Sequence, residues 1–154
     1  MAQSQSIRCL IVPVGQASWL IPGALIAEVV NYHTPEGDAG DDWFAGYLPW
    51  RGVKVPVVEG RALVAATTPV YSGERLLVLK AVGESLPMAH YALVADGIPR
   101  LLNVDEDVVA PGYQGSEADP SPLLLPVLAA GEEALLPRLD RLEEELASRL
   151  PTGG

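Results

Sequence analysis

Residues 43–58 read WFAGYLPWRGVKVPVV, and the pattern of that stretch decides the fold. Trp43 to Trp50 and Val53 to Val58 are rich in aromatic and branched side chains, and only Arg51-Gly52 separates them. Two extended runs around two residues make a β-hairpin, with glycine free to take the positive φ that a tight turn needs. Pro49 and Pro56 remove backbone donors, so both segments are expected to be edge or interrupted strands.

Upstream, Ile7 to Val14 is apolar apart from Arg8 and reads as a buried strand; Ala17 to Ile21 returns from a Gly15-Gln16 turn. Ala24 to Val30 begins as a helical turn and continues as a strand carrying Glu28-Val29-Val30, and His33 to Asp42 is a polar loop. Downstream, Gly60 to Ala65 fits one helical turn and Thr67 to Gly73 a connector. Arg75 to Val82 and Met88 to Ala95 follow as strands around Gly83 to Pro87. Asp96-Gly97 marks a turn into an Ile98 to Val104 strand. Asp105 to Asp119 reads as a long acidic surface loop, and Leu123 to Leu128 with Glu132 to Leu136 as a last hairpin.

The end of the chain changes period. Leu135, Leu139, Leu142, Leu146 and Leu150 form one helical stripe, with Pro137 in its first turn. Arg141 with Glu145, and Glu145 with Arg149, stand one turn apart on the wet face, where Glu143-Glu144-Glu145 is also placed. The sum is nine or ten strands and one C-terminal helix: a mainly β protein without the strand–helix alternation of a parallel sheet.

The totals agree with one domain. The chain has 154 residues, 49% hydrophobic and 19% charged, enough for a sizeable core and too apolar for global disorder. Its formal net charge of −10 disfavours phosphate backbones and anionic lipid, leaving proteins or small molecules as partners. Cys9 is the only cysteine, which excludes an internal disulfide or thiolate cluster; its apolar setting reads as a buried small side chain. Met1 to Ser6 lacks the basic-then-apolar order of a signal peptide, and no apolar run is long enough to span a bilayer, so the expected location is the cytoplasm. Residues 1–6 and 151–154 are expected to be flexible tails around a single domain at 7–150.

No glycine-rich phosphate loop or nucleophile elbow occurs, and nothing points to paired catalytic carboxylates. His33 and His90 lack a partner at ligand spacing, and Asp105-Glu106-Asp107 lacks the alternation of a calcium loop, so no metal or other cofactor is expected. Glu28 interrupts an apolar run and needs a partner; Arg51, at a hairpin tip, is the one to name. That pair serves equally as a structural tie or as a partner contact. Among Trp43, Phe44, Tyr47 and Trp50, the core is the expected place for all but Trp50, which sits beside the turn and could anchor a partner.

Glu28-Val29-Val30, Gly46, Arg51-Gly52 and Val55-Pro56-Val57-Val58, followed by Ala95-Asp96-Gly97-Ile98, carry a resemblance. Their order is similar to that of the CheW-like domain, over roughly residues 7 to 147. The resemblance implies two small five-stranded β-barrels packed over a shared core, with no catalytic centre. It also implies an adaptor that docks on a CheA-type histidine kinase and on the cytoplasmic tip of methyl-accepting chemoreceptors, recruited to receptor arrays at the membrane without inserting into it. Partner-binding residues would then be Arg51, Glu28, Trp50, Gly52, Val30 and Asp96. Two features depart from the usual pattern: Glu59-Gly60 stands where an aspartate and leucine are common, and Trp50 precedes Arg51-Gly52 in place of a small polar residue. The variant looks closer to the ChpC-like branch, associated with type IV pili and twitching motility, than to flagellar coupling proteins. Two other readings stay open: a stand-alone regulatory module holding a peptide or small ligand in a barrel groove, and a small β-barrel hydrolase.

Overall fold

The computed structural model describes residues 6–15, 17–37, 43–64, 74–105, 110–111, 123–129 and 131–150. The first hairpin pairs β1 (Ser6–Val14) with β2 (Ala17–Pro22). A single 3-10 turn at Gly23–Leu25 leads into β3 (Ile26–Asn31), as the mixed pattern of that stretch suggested. Then come β4 (Phe44–Trp50), β5 (Val53–Val58) and the short helix α1 (Arg61–Val64). The strands β6 (Arg75–Lys80), β7 (His90–Ala95), β8 (Arg100–Asp105) and β9 (Ala110–Pro111) follow. The hairpin of β10 (Leu124–Ala129) and β11 (Glu132–Pro137) and the helix α2 (Leu139–Arg149) complete the order.

The strands form two sheets, ordered β8-β1-β2-β11-β10-β9 and β3-β6-β7-β5-β4. The second is built from consecutive strands and is inserted between β2 and β8 of the first. Each contains one parallel neighbour pair, β2 with β11 and β5 with β7, among antiparallel ones. In the second sheet the two edges are tied: Glu36, beyond β3, exchanges backbone hydrogen bonds with Tyr47 of β4, both 2.7 Å. That bridge closes the ladder into a barrel.

Side-chain alternation sorts the apolar residues into three cores. Cys9, Ile11, Leu20, Val104, Val127, Ala129 and Ala134 come from all five long strands of the first sheet and fill its interior. Ala45, Leu48, Val55, Val57, Leu76, Val78, Ala92 and Val94 do the same for the second. The opposite faces meet: Trp19, Ile21, Val58, Leu77, Leu79, Tyr91 and Leu93 pack between the barrels with Leu142 and Leu146 of α2. Two sheets, one of five strands and one of five long strands with the two-residue β9 at its edge, thus share one core, the arrangement that the resemblance implies. Cys9 is buried, and burial raises its thiol above the ordinary value.

The structure corrects four details. Pro56 lies in an interior strand, not at an edge; its ladder with β7 begins one residue later at Val57, so the missing N–H starts a ladder rather than breaking one. Leu135 and Pro137 belong to β11, and the helix starts only at Leu139. Ala110–Pro111, within the expected acidic loop, pairs with β10 at the sheet edge, where a proline is tolerated. Glu143 is not on the wet face: it is fully buried. Its carboxylate accepts the Val82 and Gly83 N–H groups at 2.8 and 2.9 Å, pinning the β6–β7 loop onto α2. The Tyr91 hydroxyl is buried nearby, and desolvation, reinforced by the Glu143 charge, holds that phenol far above its usual range. Most of the Thr67–Gly73 and Asp105–Asp119 expectations, with residues 1–5 and 151–154, lie outside the described residues.

Gly46, one of the residues that carry the resemblance, is required by the backbone around it. It sits at a bulge between Phe44 and Val58-Val57 with φ +115, and a Cβ there would stand 2.6 Å from the Glu36 carbonyl. The residue that closes the barrel thus needs a bare backbone opposite it.

Candidate functional site

The β4–β5 hairpin turns in two residues, with Trp50 paired to Val53. Both turn residues have positive φ, 48° at Arg51 and 81° at Gly52. That is the mirror-image turn whose twist matches the strands it joins. Gly52 takes it freely; Arg51 takes it at a cost of roughly 1–2 kcal/mol. Strain of this kind, held by the surrounding strands, collects at working sites.

Around the turn lie Glu28 from β3, Trp50 from β4 and His90 from β7. One oxygen of Glu28 accepts hydrogen bonds from Arg51 Nη2 and Trp50 Nε1, both at 3.0 Å. The Arg51 guanidinium lies 4.8 Å from the Trp50 ring centre, and the His90 ring 4.7 Å from it at a tilt of 53°. Trp50 is half-buried and packs against the second barrel's interior. It therefore caps that barrel's end, while Arg51 remains 68% exposed and Glu28 39%. The pair named from sequence exists. Its exposure limits it to about 0–1 kcal/mol of stability, so its geometry leaves the guanidinium available to a second carboxylate.

Two other named residues stand elsewhere. Val30 packs against the second barrel's interior with Tyr32, and its neighbour Val29 faces outward at 40% exposure. Asp96 lies on the link from β7 to β8, the crossing between barrels. It accepts the Gly15 N–H and an Arg61 N–H at 3.1 Å, and its own N–H donates to the Pro13 carbonyl at 2.8 Å. Arg61 also holds Glu59 through Nε and Nη2, each 2.7 Å. Glu59 is 1% exposed, and the bond to it, with its charge, raises the guanidinium pKa further above its already high ordinary value. Glu59, Arg61 and Asp96 are thus a partly buried clamp from the second barrel onto the first hairpin. Sequence reading missed Arg61; the Glu59-Gly60 departure was the available signal. Gly60 belongs to the same adjustment, since a Cβ there would meet Trp19 and Val14 at 2.9 Å. Of the aromatics, Trp43 and Phe44 are buried while Tyr47, like Trp50, is half-buried, and Arg149 of α2 lies 4.3 Å from the Trp43 ring centre.

Among the described residues no group of three metal-binding side chains comes together, and no helix is long and apolar enough to cross a membrane. The model of the CheW-like domain matches residues 8–145. The chain belongs to the CheW-like domain family. No curated protein matches it. Among solved structures, the scaffolding protein TtCheW from Thermoanaerobacter tengcongensis is similar in fold, with a TM-score of 0.68 and 13% identity over 91% of this chain and 89% of that one. At that identity the likeness is one of architecture. In this CheW-like chain the Arg51 turn and the Asp96 crossing fall at opposite ends of the second barrel: the first where β7 begins, the second just after it ends.

Proposed function

We propose that this chain is a non-catalytic adaptor that couples chemoreceptors to a CheA-type histidine kinase in the bacterial cytoplasm. The observation that carries the reading is a CheW-like match running through both barrels, from residue 8 to residue 145. The work is done by surface complementarity: two closed barrels around one core give a rigid spacer with separate faces for two macromolecules. Each contact needs about 1,200 Å² of buried surface to be specific, with a few anchors dominating. Arg51, Glu28, Trp50 and Gly52 form the receptor-facing anchor, with Val30 behind it in the barrel; Asp96 acts at the opposite end, where the chain crosses between barrels. The Glu59-Gly60 pair and Trp50 before the turn favour the ChpC-like branch, with type IV pili and twitching as output.

Arg51→Ala tests the anchor. Because the residue is 68% exposed, the melting temperature should stay within a few degrees of the parent, while affinity for a receptor-tip fragment falls about tenfold or more. Titration calorimetry beside a thermal melt measures both. Unchanged affinity would remove Arg51 from the interface; a parent chain binding neither receptor nor kinase fragment would remove the adaptor reading itself.

A further inference from the structure

Both lysines of this acidic chain, Lys54 and Lys80, stand at the same end of the second barrel as Arg51. Lys54 is paired with Pro49, one residue before Trp50, and Lys80 with His90, whose ring touches Trp50. Both are exposed, and neither makes an ion pair among the described residues. The acids at this end are Glu28, already engaged by Arg51 and Trp50, the exposed Glu84 of the β6–β7 loop, and the buried Glu143, whose carboxylate is held by the Val82 and Gly83 N–H groups. Arg51, Lys54 and Lys80 thus gather three exposed cations, both lysines among them, at one rim of a chain whose formal charge is −10. Apolar surface lies among the cations: Val53 is 51% exposed and Val82 46%.

We infer that this rim receives an acidic segment of the receptor-side partner, whose carboxylates meet Lys54 and Lys80 while an apolar side chain covers Val53. The inference rests on the adaptor reading and adds to it the charge of the partner segment and two residues outside the Arg51 turn. Charge complementarity selects the occupant. On a chain of net charge −10, three exposed cations grouped at one rim attract an acidic segment there, so the rim sets the orientation of approach as well as its rate. Lysine suits this steering role, being a strongly hydrated charge on a flexible stem.

The test is stopped-flow association with a receptor-tip fragment from about 50 mM to about 500 mM salt, a range over which exposed charges go from weakly to strongly screened. Lys54→Glu/Lys80→Glu is expected to slow association on the order of tenfold at low salt and to flatten the salt dependence. Lys54→Arg/Lys80→Arg should retain the parent rate, and binding of the kinase fragment should not change. Both lysines are exposed, so folding is preserved and circular dichroism verifies it. If the parent binds and the glutamate variant associates at the same rate with the same slope, the inference is overturned and the adaptor reading stands. If the parent binds neither fragment, both fall. Equal competition by a single-stranded oligonucleotide would mark a general anion patch and also overturn the assignment.

Discussion

Arg61→Met is expected to destabilise the protein by about 3 kcal/mol, more than any exposed charge substitution. The methionine keeps the aliphatic stem that packs beneath Gly15, where a Cβ would lie 3.2 Å from Arg61 Cγ. What it removes is the charge facing Glu59, which is 1% exposed. A carboxylate left buried and unpaired carries its full desolvation penalty, whereas the intact pair sits near balance. A loss of this size is a large part of a typical domain's stability and corresponds to a fall in melting temperature of about 10 °C for a chain of this length. The companion Glu59→Gln/Arg61→Met should recover part of the loss, because no buried charge remains. Urea unfolding followed by tryptophan fluorescence separates the two; equal stability of parent and Arg61→Met would show that the clamp is not holding Glu59.

Glu143→Ala is the second large effect, again about 3 kcal/mol. The substitution removes two part-buried hydrogen bonds, from the Val82 and Gly83 N–H groups to a charged acceptor, each contributing about 1.5–3 kcal/mol. It also opens a void beside Tyr91. Glu143→Gln keeps one acceptor oxygen and should lose less than half as much. Hydrogen exchange gives the local readout: the amides of Val82 and Gly83 should exchange faster in both variants, with the alanine form the faster. Protection equal to the parent's in Glu143→Ala would mean that the carboxylate does not hold the loop.

These two residues mark where sequence reading stopped. Hairpins were legible because their signals are local: Arg51-Gly52 between two branched runs, and an inward–outward alternation that a barrel must respect. Glu28 with Arg51 was legible because a charge inside an apolar run asks for a partner. Glu143 was missed by grouping it with its neighbours in sequence, although a helix turns 100° per residue. Leu139, Glu143, Leu146 and Leu150 lie on one stripe, so the signal was present and was overridden by the charge of the triplet. Leu135 shows the reverse error, since an apolar residue in β11 happened to continue the helical spacing. Of the Glu59–Arg61–Asp96 clamp, the sequence showed only the unusual Glu59-Gly60 pair and Asp96 as separate features. The clamp joins residues from a turn and a crossing 35 positions apart to Gly15, 81 positions from Asp96, and only the insertion of one barrel into the other brings them together. Val30 was assigned by its place in a motif, while the register of β3 turns it toward the core.

In the proposed function, one two-barrel body carries separate faces for a receptor and for a kinase. Sedimentation velocity of the chain mixed with a receptor-tip fragment and the regulatory domain of a CheA-type kinase tests this most directly. A single boundary containing all three, heavier than either binary mixture, is the predicted result. Two partners that displace one another, or a chain that sediments alone in every mixture, would contradict it.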